Sequence, residues 1–271
     1  MGTRIELHQF GAGDADALFA ARRAIEAVDD ALTIHRPSPA TALNERLASG
    51  GSVAVDDPLL LDALSGICDV WRWTEGHFDP TVGVGEAGQW RHVHVDVAAA
   101  RIEVSAPVAL DFGGFGKGYA LDRAILALRA RGVECALLSA GESSIAALGS
   151  HPLGGKWPLS IPDPARPGAE LIRLEIEDRS VSISATVGAG AAAPGRAAMV
   201  RPSDGGIVTA PATAVVVDES GAVAEAMSTA LIVAPRSAAR RLINLRRDCR
   251  HLFTHEGVPL VQAGAYGNQA L

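Results

Sequence analysis

Lysine is nearly absent from this chain of 271 residues, because only Lys117 and Lys156 are lysines among its 24 basic residues. The chain also lacks a basic surplus, since its formal net charge is -7 and its pI is near 5.6. A protein without a basic surface cannot neutralise a phosphate backbone, so we expect no nucleic-acid partner. Where arginine is otherwise preferred, a lysine in a glycine-rich turn favours a role for its compact, flexible ammonium group.

Long apolar runs and an export signal are missing as well. No stretch approaches the roughly 18 apolar residues of a membrane-spanning helix, and the start MGTRIELHQF has neither a cationic nor an apolar signal region. We therefore expect no transmembrane segment and a cytoplasmic location for the chain as given; export with a removed signal is the alternative. Cys68, Cys135 and Cys249 stand far apart without a CxxC pattern, which predicts reduced thiols.

The hydrophobic periodicities predict a mixture of helices and strands. Helical spacing indicates helices over 14–31, 55–76, 118–132 and 222–234, and alternating or short apolar runs indicate strands within 3–10, 92–112, 134–141, 171–184 and 213–220. Without a strict βαβ rhythm, this order predicts an α+β, mixed α/β fold. Because no repeat or linker divides the chain, we expect a single domain over 1–271, with a division into two lobes left open.

The stretch DFGGFGKGYALDRA at 111–124 joins an apolar run to a predicted helix through several glycines and Lys117. Glycines at such a junction let backbone N–H groups approach a ligand, and a helix N-terminus adds partial positive charge. We therefore expect this junction to bind an anionic group such as a phosphate. The spacing fits neither the Walker motif nor the dinucleotide GxGxxG pattern. The alternative interpretation is a glycine-rich turn that only packs neighbouring elements together.

Two further patterns carry oxygen-bearing side chains. Glu225 and Thr229 are four residues apart in AVAEAMSTALIV and therefore share one face of the predicted helix, where a carboxylate and a hydroxyl suit a hard cation such as Mg2+. The alternative is a solvated or capped helix face. In TEGHFDPTVG at 74–83, Asp79 lies between an aromatic residue and a proline, which predicts a rigid turn.

Taken in order, these segments resemble the motifs of the ApbE family of flavin transferases, the FAD:protein FMN transferases. The similar segments are MGT at 1–3, LTIHRPSPATALN at 32–44, EGHFDPTVG at 75–83, DFGGFGKGYALD at 111–122, LLSAGESSIAALG at 137–149 and AEAMSTAL at 224–231. The resemblance runs nearly from end to end. It implies a mixed α/β architecture related to the T-fold, in agreement with the periodicities.

The resemblance also implies ligands and a reaction. The positions that match FAD contacts of the family are Met1, His35, His77, Phe78, Asp79, Asp111 and Lys117, and those that match magnesium ligands are Gly114, through its carbonyl oxygen, Glu225 and Thr229. The implied reaction is Mg2+-dependent transfer of FMN from FAD to a threonine of a target flavoprotein, with release of AMP. Hydrolysis of FAD to FMN and AMP is a related activity, and a homodimer is left open.

The sequence departs from the family pattern at several positions. Ala198 stands where the family has a histidine proposed to activate the attacking hydroxyl, and Arg201 stands where it has an aspartate. Neither side chain can act as a general base near neutral pH, so no catalytic residue is assigned. Glu142 replaces a glycine, Glu225 replaces an aspartate, and Thr186 matches a blurred T-S-G segment. A transferase that uses another base and a non-catalytic FAD-binding protein therefore both stand as hypotheses.

Overall fold

The computed structural model describes residues 3–11, 14, 16–83, 85–188, 198–245, 250–255 and 262–263. The helices are α1 (Ala17–Leu32), α2 (Pro39–Leu47), α3 (Pro58–Trp73), α4 (Gly116–Ala130), α5 (Gly221–Val233) and α6 (Arg236–Asn244). The strands are β1 (Ile5–Gln9), β2 (Gly51–Ala54), β3 (Val93–Asp96), β4 (Arg101–Val104), β5 (Ala136–Ala140), β6 (Ser144–Leu148), β7 (Trp157–Pro162), β8 (Glu170–Ile176), β9 (Ser180–Ala185), β10 (Ala212–Asp218), β11 (Arg250–Thr254) and β12 (Gln262–Ala263).

A seven-stranded sheet of order β1-β5-β6-β9-β10-β11-β12 forms the centre of the fold. Every neighbouring pair in it is antiparallel. A three-stranded sheet of order β2-β4-β3 and the hairpin β7-β8 complete the strand content. The predicted α+β, mixed α/β class is confirmed, and the antiparallel pairing explains why the chain shows no βαβ rhythm.

Both faces of the central sheet are covered, as the alternation along β10 shows. Ala214 and Val216 belong to the larger core, which also contains residues of α1, α4 and α5. Val215 and Val217 belong to a second core with Trp157 and other residues of the hairpin β7-β8. Strands buried on two faces read as continuous apolar runs, and β10 is buried over its whole length.

The predicted helices are present, with ends set by local chemistry. Helix α3 begins at Pro58, where the carboxylate of Asp57 accepts the backbone N–H of Leu60 at 2.8 Å. Beyond its end, Gly76 adopts a φ of 75°, which glycine tolerates at no steric cost. No helix within the described residues is both long and apolar enough to cross a membrane.

Several short elements have no counterpart among the predicted ones. Helix α2 has nine residues, too few for a clear period. Helix α6 also has nine residues, but its buried positions follow helical spacing, so its period was present in the sequence and was missed. Strand β7 contains Pro158 and Pro162, and proline within an apolar run argues against predicting a strand from the sequence. Proline is tolerated there because, among the described strands, β7 has β8 as its single partner.

Candidate functional site

Helices α4 and α5 touch backbone to backbone near their N-termini. A Cβ added at Gly118 would overlap the carbonyl oxygen of Gly221, and a Cβ added at Gly221 would lie 2.7 Å from the carbonyl oxygen of Gly118. Neither position therefore accepts a side chain without a shift of a helix. For Gly118 the packing interpretation is correct, since the backbone that it approaches belongs to another helix.

Each of these two helices caps the other. Asp122 of α4 accepts the hydroxyl of Ser220 at 2.7 Å and the backbone N–H groups of Gly221 and Ala222 at 2.6 and 3.1 Å. In return, Glu225 of α5 accepts the backbone N–H of Gly118 in the first turn of α4 at 2.7 Å. Two carboxylates thus face two helix N-termini, where negative charge is stabilised.

Burial raises the pKa of the Asp122 carboxyl, and the hydrogen bonds from Ser220, Ala222 and Gly221 offset part of that rise. Asp122 is the last residue of the motif DFGGFGKGYALD, but no site role was assigned to it from the sequence. The position of Asp122 at the end of that motif was the sequence feature that could have indicated such a role.

Glu225 also forms an ion pair with Lys117, whose ammonium contacts its other carboxylate oxygen, Oε1. The side chain of Glu225 is 4% exposed and that of Lys117 is 24% exposed, so the pair lies at the edge of the interior. One turn further along α5, the hydroxyl of Thr229 donates to the backbone carbonyl of Glu225 at 3.1 Å. The predicted metal-binding pair therefore lies on one helix beside a predicted FAD contact.

Gly114 lies against the same group of residues. A Cβ added there would approach the hydroxyl oxygen of Thr229 to 3.3 Å and Cε2 of Phe78 to 3.0 Å. The loop backbone at Gly114 therefore lies against the hydroxyl of Thr229, one helical turn from Glu225. No group of three or more His, Cys, Asp or Glu side chains suited to a metal occurs in the described part of the chain. The oxygen donors present fit Mg2+, which keeps several waters and needs few protein carboxylates.

An open groove lies beside Lys117, which lines it together with residues of α1 and of the glycine-rich loop. Three of the predicted FAD contacts line it, namely His35, Asp111 and Lys117. The N-terminal residue of α4, Gly116, also lines the groove, so the helix N-terminus faces the space that a ligand would enter. Asp111 organises the glycine loop by accepting the backbone N–H of Gly113 at 2.7 Å.

The turn after α3 carries the remaining predicted FAD contacts of the described chain. Asp79 is buried, and its Oδ1 accepts the backbone N–H and the hydroxyl of Thr81 at 2.8 and 2.5 Å. Its Oδ2 accepts the backbone N–H of Trp90 at 3.2 Å. The rigid turn predicted at Asp79 is therefore present, and both carboxylate oxygens hold it together.

His77 and Phe78 precede this turn and differ in burial. Phe78 is buried, whereas His77 is half-buried. Burial lowers the pKa of His77, and the nearby carboxylate of Glu75 opposes that shift in part. The imidazole is therefore neutral at neutral pH, with one ring nitrogen able to accept a proton.

The segment around Ala198 docks on the Asp79 turn. The backbone N–H of Gly88 donates to the carbonyl of Pro202 at 2.8 Å, and that of Gly85 donates to the carbonyl of Gly205 at 2.8 Å. Arg201 pairs with Asp204 at 3.2 Å, while Ala198 is exposed. The substituted positions thus lie on a segment that contacts the predicted site, but their side chains supply no base.

The N-terminal segment meets the turn between β5 and β6. The backbone N–H of Gly141 donates to the carbonyl of Arg4 at 2.8 Å, and a Cβ added at Gly141 would overlap the side chain of Thr3. The next residue of the turn, Glu142, has a φ of 59°. Met1, predicted to contact FAD, lies outside the described residues.

Thr186 follows β9 and has a structural role in this arrangement. Its hydroxyl donates to the carbonyl of Ala210 at 2.6 Å and accepts the backbone N–H of Ala212 at 2.9 Å. The hydroxyl therefore joins the end of β9 to the start of β10.

The fold and the site together define a mixed α/β protein in which a helix N-terminus and Lys117 face a groove, with Glu225 paired to that lysine. The chain belongs to the ApbE family, whose model matches residues 84–253. A curated relative, the FAD:protein FMN transferase of Rhodobacter capsulatus, is 32% identical over an alignment of 155 positions, and this alignment covers 47% of this chain and 29% of that protein. The match thus spans less than a third of that relative.

Solved structures show the same fold. The flavin transferase ApbE of Vibrio cholerae superposes with a TM-score of 0.80 at 19% identity, over 94% of this chain and 91% of that chain. The flavinyl transferase ApbE of Pseudomonas stutzeri, in its apo form, superposes with a TM-score of 0.75 at 21% identity, over 94% of this chain and 92% of that chain. At such identities the likeness establishes the architecture.

Proposed function

We propose that this protein transfers FMN from FAD to a threonine of a target flavoprotein, with Mg2+ as cofactor and AMP as the second product. One observation carries the proposal. Two segments far apart in the chain meet where Lys117 pairs with Glu225 and where Gly114 lies against Thr229. Lys117 also lines the groove together with His35. Membership of the ApbE family and the name of the curated relative support the same reaction.

The lining of the groove suits a pyrophosphate group. The first turn of α4 lines it, where a helix N-terminus favours phosphate, and Lys117 adds a positive charge. His35 is exposed on the wall of the groove, where its imidazole can stack on a ring of the ligand. The substrate would therefore lie along the groove with its phosphates near Lys117.

In the proposed reaction, the threonine oxygen of the target attacks the FMN-side phosphorus of FAD. The new P–O bond forms as the bond from that phosphorus to the bridging oxygen breaks, AMP leaves with that oxygen, and the hydroxyl proton passes to water or to a phosphate oxygen. Mg2+ held by the Gly114 carbonyl, Glu225 and Thr229 would neutralise charge on the pyrophosphate. The groove contributes mainly by holding the phosphorus in line with the incoming oxygen.

A second candidate, FAD binding without transfer, is favoured by Ala198 and Arg201. Arg201 pairs with Asp204 and cannot accept a proton, and Ala198 has no titratable group. A protein of this kind would bind FAD in the same groove without turnover. Hydrolysis of FAD to FMN and AMP, with water in place of threonine as nucleophile, is a separate alternative.

The test is incubation of the purified protein with FAD and Mg2+, with EDTA as control, in the presence and absence of a target flavoprotein domain. Chromatography measures AMP and FMN, and mass spectrometry of the target measures covalent FMN. We expect Mg2+-dependent AMP release that matches the FMN bound to the target. AMP together with free FMN would support the hydrolase, and tight FAD binding without AMP, with target present, would support the non-catalytic protein.

Glu225→Gln is the informative variant of this assay. It should abolish AMP release because a neutral amide is a much weaker magnesium ligand than a carboxylate, while a large part of the FAD affinity remains. Glu219→Gln provides the matched control, because Glu219 is exposed and precedes the same helix. Equal activity of Glu225→Gln and the wild type would contradict the metal assignment.

A further inference from the structure

The two carboxylate oxygens of Glu225 have different partners. Oε2 accepts the backbone N–H of Gly118, which is fixed in the first turn of α4. Oε1 contacts the ammonium of Lys117, at the end of a long and flexible side chain that also lines the groove. One oxygen is therefore held by the backbone, and the other is held by a cation that can move away.

From this geometry we propose that Lys117 and a divalent cation compete for Oε1 of Glu225, so that binding of the cation releases Lys117 into the groove, where it binds an anionic diphosphate. The proposal rests on the proposed function for the identity of the cation and of the ligand. It adds a regulation of that site, in which the cation prepares the groove for the nucleotide.

The burial of Glu225 requires a cation at Oε1. A carboxylate that is 4% exposed with only one neutral donor would be strongly destabilised, so one positive group must stay in contact with it. Lys117 and Mg2+ would both place positive charge at the same oxygen and would repel each other there. Occupation by one therefore favours departure of the other.

The charges of the groove explain why the release matters. Asp29 and Asp111 line the groove together with Lys117. While Lys117 neutralises Glu225, its charge is not available to a phosphate, and the carboxylate of Asp111 disfavours one. Once Lys117 turns into the groove, the same space offers a cation next to the N-terminus of α4. Because binding free energies are linked, nucleotide binding should strengthen cation binding by the same factor.

The scarcity of lysine makes this exchange directly observable. Protein labelled with 13C at the lysine ε-carbon gives two lysine signals, from Lys117 and Lys156, and Lys156→Arg assigns them. We expect MgCl2, added without FAD at constant ionic strength, to shift the Lys117 signal along a saturation curve. The Lys156 signal should stay in place, because Lys156 is exposed and lies on the segment between β6 and β7.

Lys117→Met tests the competition by removing the ammonium group that is proposed to compete with the cation. At pH 8 and without FAD, we expect its Mg2+ dissociation constant in isothermal titration calorimetry to be about tenfold lower than that of the wild type, since an ion pair of this kind is worth at least one such factor. Its affinity for FAD in saturating Mg2+, measured by flavin fluorescence, should fall. Lys156→Met should match the wild type in both titrations.

The opposite signs of these two changes separate the proposal from simple damage, because a variant that folds poorly loses both affinities. A Lys117 signal that stays fixed while calorimetry shows Mg2+ binding would overturn the proposal. Equal shifts of both lysine signals would also overturn it. So would calorimetry that shows no Mg2+ binding to either the wild type or Lys117→Met. The lysine signals are read without FAD. A protein that shows the exchange but no AMP release would thus refute the transferase and retain the competition.

Discussion

Glu142 occupies the turn between β5 and β6 with a φ of 59°, in the left-handed region that residues with a side chain rarely adopt. We expect Glu142→Gly to raise the free energy of unfolding by about 0.5–1 kcal/mol, because glycine relieves the backbone strain. Glycine also increases the conformational entropy of the unfolded chain, but this cost offsets only part of the stabilisation. Urea unfolding measures the change. Glu142→Ala keeps the unfavourable φ and should not stabilise; a similar gain there would show that charge, not backbone strain, is responsible.

Ala198 is exposed, so a larger side chain can be placed there without disturbing the core. If transfer is limited by the missing base, Ala198→His should raise the single-turnover rate of AMP release by about a hundredfold near pH 8, where a neutral imidazole accepts the proton. Ala198→Asn is the control of similar size that cannot accept a proton at this pH. Equal rates for the two variants would show that the proton leaves by another route.

At the scale of the elements, the reciprocal caps of α4 and α5 predict a coupled loss of stability and binding. Asp122→Asn should lower the free energy of unfolding by about 1–2 kcal/mol, because the amide cannot accept all the N–H and O–H groups that the carboxylate accepts. It should also weaken FAD binding in flavin fluorescence titrations, since α5 carries Glu225 and Thr229.

Asp57→Ala supplies the comparison, because Asp57 caps α3 and alanine cannot accept the backbone N–H of Leu60. That variant should lose a similar amount of stability in the same urea titration and keep its FAD affinity. If both variants lose FAD affinity equally, the caps act through global stability alone.

The sequence predicts the elements that have a clear period and fails where a short segment depends on its neighbours. Helix α3 was predicted from its apolar spacing, and β10 was predicted from its apolar run. Helix α2 depends on a capping box between Ser38 and Thr41, a local contact without any periodic signal. Strand β7 is held by pairing with β8 and by Trp157 in the second core, which outweigh its prolines.

At the scale of the whole molecule, burial of histidine predicts acid sensitivity. Burial lowers the pKa of His251 in β11 below its ordinary value, so the unfolded chain takes up that proton more readily than the folded one. The free energy of unfolding should therefore fall as the pH decreases below about 6.5. His77 contributes with the same sign.

Chemical denaturation between pH 5 and pH 8 measures this dependence. His251→Gln should flatten the curve, whereas His8→Gln, at an exposed position of β1, should leave its slope unchanged. An unchanged slope for His251→Gln would assign the acid sensitivity to other groups.

The assembly of the site was only partly predictable. Lys117, Glu225 and Thr229 were singled out from motifs, and the structure pairs Lys117 with Glu225, one turn from Thr229 on α5. Contacts across the chain did not follow, because Glu225 and Gly118 are 107 positions apart and no period connects them. The role of Asp79 inside its turn and the mutual capping of the helices likewise depend on tertiary packing, which a single sequence does not display.

The contact between Gly118 and Gly221 has a mechanical consequence. Where two backbones touch without intervening side chains, there are no rotamers to rearrange and little void to remove. The second core depends instead on side chains such as Trp157, whose ring packs at an angle to those of Phe10 and His151. Under hydrostatic pressure the protein should therefore yield first at the hairpin β7-β8, while the junction of α4 and α5 stays stiff.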